Sequence, residues 1–400
     1  MALVCVVVLH LFMYLDVVHA GTQYWRLGHF AVMLFFVHTC LVLMYSLERQ
    51  YAGGGWRRLF NHFMVRRIFR LYPLSILIVL VVFFLRIPAA DFRAHTFIAT
   101  DVGLTGLLAN LALVQNLTYT HGVLAQLWSL PLEIQMYVLL PALFLFARRW
   151  KSLRPLLLLW IGAVAFASIQ PLISDRLSIA QFVPNFLPGV IAYQAARGGR
   201  PTWPALWWPV MLCAMAAVYM VTLTYEHGWI LCLIIGLTIN RFREIRWHWL
   251  RRTAHLLAKY SYGVYLTHML AVWLAFVVCG ALSPALRWTV FAVILVALPL
   301  ILYHAVEAPM TRFGAGLAER WYPTLHAPPD ALPELDETTP LTRAQLHALR
   351  LPASAAEQHG AGDRERRERD GHRPRHPLWA QAEMAGQQPG QGDFPEPEAE

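Results

Sequence analysis

Apolar residues in this chain come in blocks of about 20, the length at which a helix crosses a bilayer, rather than in short alternating runs. The spans predicted from these blocks are 1–18, 29–47, 73–88, 103–118, 127–147, 155–172, 180–196, 205–225, 228–240, 255–280 and 286–306. One of them is expected not to cross. The segment 103–118 is the choice, because it carries Gly and polar groups and is weakly hydrophobic. The pattern predicts an all-α, polytopic integral membrane helix bundle of about ten transmembrane helices over residues 1–326. From Ala327 the blocks stop. Residues 327–400 are rich in Pro, Gly, Glu, Gln and Arg and hold too little apolar surface to offset their ordering entropy, so a disordered C-terminal tail is expected.

Charge gives the bundle a direction. If 103–118 does not cross and the amino terminus is cytoplasmic, basic residues cluster on the cytoplasmic side at Arg49–Arg70, Arg148–Arg154, Arg197–Arg200, Arg241–Lys259 and Arg312–Arg320. The outer side keeps Arg26, Arg86, Arg93, Arg176 and Arg287. This is the asymmetry of the positive-inside rule, and it predicts a multi-pass protein of the cell inner (plasma) membrane with both termini cytoplasmic. The tail, with 8 basic and 14 acidic residues, is acidic, although the whole chain has a formal charge of +9. The Arg residues flank spans instead of forming a stripe, which excludes a nucleic-acid partner and leaves membrane lipid as the surrounding one.

Other signals are sparse. Cys5, Cys40, Cys213, Cys232 and Cys279 stand singly in apolar segments, so neither a disulfide nor a metal site is expected. Val18-His19-Ala20 before Gly21 resembles a signal-peptidase site, but the charged region that precedes one is absent, and a retained first helix is favoured. There is no P-loop, GxGxxG or internal repeat.

The informative residues are polar groups inside apolar segments. Glu133 lies in Trp128-Ser129-Leu130-Pro131-Leu132-Glu133-Ile134-Gln135-Met136-Tyr137. A carboxylate at membrane depth costs at least about 2.5 kcal/mol. His10, His38, His268 and His304 also lie in apolar segments and are expected to face the bundle interior or a watery cavity. For any one of them, an interhelical hydrogen bond is as good an explanation as chemistry. Glu307, in Val306-Glu307-Ala308-Pro309, is expected to cap or solvate the cytoplasmic end of its span.

Several motifs in order resemble the membrane acyltransferase 3 family, the multi-pass O-acyltransferases of bacterial glycans. The first segment carries Val6-Val7-Val8-Leu9-His10-Leu11-Phe12, with His10 at the family's histidine, and the second carries Leu34-Phe35-Phe36-Val37. Phe63-Met64-Val65-Arg66-Arg67-Ile68-Phe69-Arg70-Leu71-Tyr72-Pro73 is similar to the family's Arg-rich stretch ending in Tyr-Pro. Trp128-Ser129-Leu130 with Glu133 and Tyr137, then Ser261-Tyr262-Gly263-Val264-Tyr265-Leu266-Thr267-His268, then Glu307-Ala308-Pro309 complete the set. The resemblance covers about residues 1–315. Two departures stand out: the family's first-helix Arg would fall just ahead of Met1, and His38-Thr39-Cys40 stands where the family often has Ser-Gly-Phe.

The resemblance implies acyl transfer to a hydroxyl, and the residues suit it. The hydroxyl proton needs a base, and an imidazole that titrates near neutrality can serve. A carboxylate can orient that base. The expected catalytic residues are His10 as base and Glu133 as its partner or as an acceptor-binding group. Trp128, Ser129, Tyr137 and His268 are expected on the acceptor side or in the cavity. Arg66, Arg67 and Arg70 are the candidates for gripping the phosphates of an acyl-CoA donor, acetyl-CoA by expectation, although topogenic charge explains them equally well. No bound cofactor is expected. The acceptor implied by the family is a carbohydrate, a surface or periplasmic glycan or a lipid-linked sugar. The rival class is a proton-coupled transporter or exporter, which also uses buried His and Glu but predicts a repeat that the sequence does not show.

Overall fold

A computed structural model of the protein describes residues 6–8, 10–11, 25–51, 55–91, 96–98, 102–150, 152–198, 201–221, 225–245 and 247–323. The tail expected over 327–400 lies outside the described residues, as does the Val18-His19-Ala20 site. Residues 6–8 and 10–11 are helical. The elements that follow are α1 (Trp25–Gln50), α2 (Trp56–Phe84), β1 (Ala89–Asp91), β2 (Thr96–Ile98), α3 (Leu104–Leu111), α4 (Gln115–Thr118) and a 3₁₀ turn, Ala125–Trp128. Then come α5 (Ser129–Arg149), α6 (Arg154–Ile173), α7 (Ile179–Ala195), α8 (Trp207–Val221), α9 (Tyr225–Thr238) and α10 (His248–Val272). A π turn (Trp273–Val278), α11 (Pro284–Leu302), a second π turn (Tyr303–Glu307) and α12 (Ala308–Trp321) complete the described elements.

The protein is an all-α polytopic membrane bundle. Among the described residues six helical stretches are long and apolar enough to cross a bilayer: Arg26–Gln50, Trp56–Phe84, Ala125–Arg149, Arg154–Ile173, His248–Val278 and Pro284–Trp321. Two shorter apolar helices, Trp207–Val221 and Gly228–Arg241, accompany them. The segment 103–118 breaks into α3 and the four-residue α4. The eight residues of α3 reach only about 12 Å, against a hydrocarbon core of about 30 Å. The all-α expectation needs one small amendment, a three-residue antiparallel pair with Ala89 opposite Ile98.

Three sequence expectations are corrected. The Arg-rich stretch placed in a loop before a span at 73–88 is helical. α2 begins at Trp56 and runs through Pro73, so Arg57 to Arg70 are helix residues. A proline inside a membrane helix is tolerated because neighbouring groups re-satisfy the freed backbone. Glu307 does not sit at a solvated end. It is buried, because the helix passes through the π turn and continues as α12. Pro309 directly follows the π turn, where the ladder has already shifted, with Ala308 N–H on Tyr303 O, and the helix continues past a ring that lacks an N–H. Finally, His304 is exposed on its helix, with Nε2 3.3 Å from Tyr260 Oη, whereas His38 is accessible yet enclosed by protein, as a cavity-facing group is.

Close helix packing holds the centre together. α7 lies against α1, α6 and α9, with Phe36 stacked on Phe186 at 4.2 Å between ring centroids. Small residues let these backbones approach. A Cβ at Gly189 of α7 would sit 2.5 Å from Val37 O and 2.6 Å from Cys40 Cβ of α1, and one at Gly236 of α9 would collide with Pro188 O of α7. α12 lies against α2, and α10 against α11.

Candidate active site

The first helical segment is fixed by Val7 and Leu11, one turn apart, which bury themselves with Ala271, Val272, Ala275 and Phe291. That docking carries His10 to His268 on α10. His10 Nδ1 lies 2.8 Å from His268 Nε2, and the ring planes differ by 5°. With the bonded nitrogens this close, a centroid separation of 5.1 Å means that the rings meet edge to edge in one plane, not face to face. This is the geometry of an in-plane N–H···N bond.

The direction of that bond follows from the far side of His268. Its Nδ1 faces Tyr265 O at 2.8 Å and Val264 O at 3.3 Å. Carbonyls only accept, so Nδ1 carries the proton and Nε2 of the neutral ring is an acceptor. His10 Nδ1–H therefore donates to His268, and the lone pair of His10 is on Nε2. His268 is wholly buried, and His10 is half-buried. The pair is one acceptor-oriented imidazole presenting one basic nitrogen.

One turn before His268, Tyr265 ties α10 to the start of α5. Its hydroxyl donates to Gln126 O, so Ser129 Oγ, 2.7 Å away, donates to Tyr265 Oη. Gln126 Nε2 in turn donates to Leu266 O at 3.0 Å. The 3₁₀ turn is thus pinned to α10 by side chain and main chain together. Ser129 has its proton committed to this tie, which suits a structural hydroxyl better than a nucleophile. Trp128, its neighbour, keeps 38 % of its surface exposed and stacks at 6.1 Å on His29 of α1.

Glu133 is buried one turn below Ser129 and accepts from the Tyr137 hydroxyl, the i,i+4 partner on the same helix. The charges of Arg67 and Arg70 act on it. Arg70 Nη1 lies 3.6 Å from Glu307 Oε1, and buried Arg67 donates to Ser46 Oγ at 3.4 Å while its guanidinium sits 5.4 Å from the Phe63 ring centroid. Two carboxylates and two guanidiniums so form a formally neutral group inside the bundle. Tyr262 joins α10 to it by donating to Leu71 O at 2.7 Å.

The sequence-selected residues therefore fall into two groups. His10 meets His268, while Glu133 meets Tyr137 in the field of Arg67 and Arg70. Ser129 is joined to the histidines through Tyr265. Arg66 is half-buried on α2. Tyr265, Gln126 and His29 were not among the sequence candidates. Tyr265 sits in the motif that marks His268, so a signal existed; Gln126 and His29 offer none. Among the described residues no group of three or more His, Cys, Asp or Glu is placed to hold a metal ion.

A family model described as an acyltransferase domain, that of the acyltransferase 3 family, matches residues 1–304. The chain belongs to the acyltransferase 3 family. It is a membrane acyltransferase, and the matched stretch takes in His10, α2, α5 and His268 alike. No curated protein and no solved structure matches the chain.

Proposed function

We propose that this membrane acyltransferase moves an acyl group, acetyl for preference, from cytoplasmic acyl-CoA to a hydroxyl of a glycan or lipid-linked sugar at the outer face of the cell inner membrane. The observation that carries this reading is the His10–His268 pair, which leaves a lone pair on His10 Nε2. The acceptor hydroxyl gives its proton to that nitrogen as its oxygen attacks the thioester carbonyl. His10 is then an imidazolium, still donating through Nδ1 to His268. The tetrahedral intermediate collapses, the carbon–sulfur bond breaks, and the proton on Nε2 passes to the leaving thiolate. An ester and free CoA result, with His10 restored.

Glu133, in this reading, serves the substrates through the buried charge group. The donor's phosphates approach the Arg-rich half of α2, where Arg57 is exposed and Arg66 half-buried, while Arg67 and Arg70 hold the inner end. Charge placement along the sequence supports a cytoplasmic position for this half and for both termini.

Cells expressing wild type and His10→Ala at matched membrane levels are compared for alkali-labile acyl esters on surface glycans by mass spectrometry. Esters should appear with wild type and vanish with His10→Ala, and their mass names the acyl group. Equal ester in both strains would remove His10 from the reaction.

A further inference from the structure

The far side of the pinned turn carries a feature that the acyl-transfer steps do not use. Four rings from four elements meet there: His29 of α1, Trp128 of the 3₁₀ turn, Phe182 of α7 and Tyr219 of α8. His29 is near-parallel to both Trp128 (6.1 Å, 21°) and Tyr219 (6.4 Å, 24°), and its Nδ1 lies 2.9 Å from the Tyr219 hydroxyl. Phe182 packs against Trp128 at 5.6 Å and edge-on to His29 at 6.1 Å. Tyr219 is buried behind, His29 and Phe182 are half-buried, and Trp128 is the exposed face.

Their positions along the elements place this cluster at one end of the bundle. His29 is near the start of α1, Trp128 directly precedes α5, Phe182 is in the first turn of α7, and Tyr219 is in the last turn of α8. His268 is in the second half of α10, which the π turn carries on to Val278, so the pair lies in the same half of the bundle but deeper than the ring cluster. The link is rigid: Trp128 is the neighbour of Ser129, Ser129 bonds to Tyr265, and Tyr265 is one turn from His268.

We propose that Trp128, backed by His29, Phe182 and Tyr219, is a platform on which a pyranose ring of the acceptor stacks; this rests on the reading that the acceptor is a glycan. The axial C–H bonds of a pyranose carry slight positive charge and the indole face is negative, so the two attract. The pyranose hydroxyls meet the half-buried His29 imidazole at the rim, which the buried Tyr219 hydroxyl holds at Nδ1. Binding sites of this kind combine an apolar floor with few polar groups. A ring stacked here lies beside the tie through Ser129 and Tyr265 that leads to the His10–His268 pair.

The test uses the full chain in lipid nanodiscs without donor. The probe is a tritium-labelled oligosaccharide pool released by mild acid from the surface glycan of the expression host, and retention is read by equilibrium dialysis. Wild type should retain label saturably, Trp128→Phe should keep most of the binding, and Trp128→Ala and Phe182→Ala should weaken it about tenfold or more. In transfer assays Trp128→Ala should raise the acceptor KM while the donor KM is unchanged. Wild-type retention by Trp128→Ala, or no retention by wild type, overturns the platform. Retention unaffected by Trp128→Ala alongside His10-dependent ester formation sinks the platform alone. No ester and no retention sinks the glycan reading as well. Label displaced equally by added phospholipid would mark Trp128 as a membrane-interface anchor instead and also overturns the platform.

Discussion

At the scale of single residues, the site turns on which nitrogen holds which proton. A lone buried histidine can present either tautomer. Here two backbone carbonyls settle the proton of His268, and His268 settles that of His10. In the proposed reaction His268 is therefore a positioning residue, in the way that an orienting acceptor holds the base of a hydrolytic triad. His268→Gln keeps an acceptor near the place of Nε2, and His268→Leu removes it. We expect kcat to fall about 10²- to 10⁴-fold in the leucine variant, with either KM little changed, and most of the loss to be restored in the glutamine variant. Rates measured with acyl-CoA and acceptor varied in turn check this. A purely packing role predicts the opposite order, since leucine fills the buried site at least as well. His10 and His268 were both legible in the sequence, as polar groups out of place in apolar segments. Their pairing was not, because it joins residues far apart in the chain through a contact that no local pattern encodes. The same holds for Gln126, a common residue in an unremarkable position until α10 is seen against it.

At the scale of elements, the sequence fails where a helix crosses a boundary that its composition suggests. Pro73 looks like the start of a span, and Arg57 to Arg70 like its loop, yet α2 runs through both. Glu307 looks like a solvated end because Pro309 follows, yet the π turn and α12 carry the helix on, and Glu307 packs inward beside Arg70. A π turn inserts an extra residue into the helix, and only the structure shows where it falls. The outcome is a buried group of charges bridging α2, α5 and the last helix. Such groups cost desolvation, and removing one member strands another. Arg70→Met or Glu307→Leu alone should each destabilise the bundle by about 3–5 kcal/mol, whereas the double variant should lose much less. Thermal unfolding in detergent compares the three. If the double variant is as unstable as the sum of the singles, the two groups act independently, and the 3.6 Å contact is not what keeps them inside.

At the scale of the whole molecule, the two ends of the bundle differ. The Arg-rich half of α2 and the ring cluster beside Trp128 are built from opposite ends of their helices: Arg57 and Arg66 belong to the first half of α2, which leads out of the basic segment after α1, whereas His29 opens α1 itself. With the donor gripped at one end and the acceptor held at the other, as proposed, the bundle would be a route for an acyl group as well as a catalyst. The direction of that route is a prediction with a direct test. Sealed inside-out membrane vesicles present the cytoplasmic face to the medium, and right-side-out vesicles hide it. Radiolabelled acetyl-CoA, which does not cross lipid, should label glycan in the first and not in the second, and Arg66→Ala should raise the donor concentration needed without changing the acceptor dependence. Permeabilising the right-side-out vesicles should restore labelling. Labelling of intact right-side-out vesicles would put the donor site on the outer face and reverse the assignment of both ends. The positive-inside asymmetry favours the first result, since the residues proposed to meet the donor are part of the charge that sets how the chain inserts.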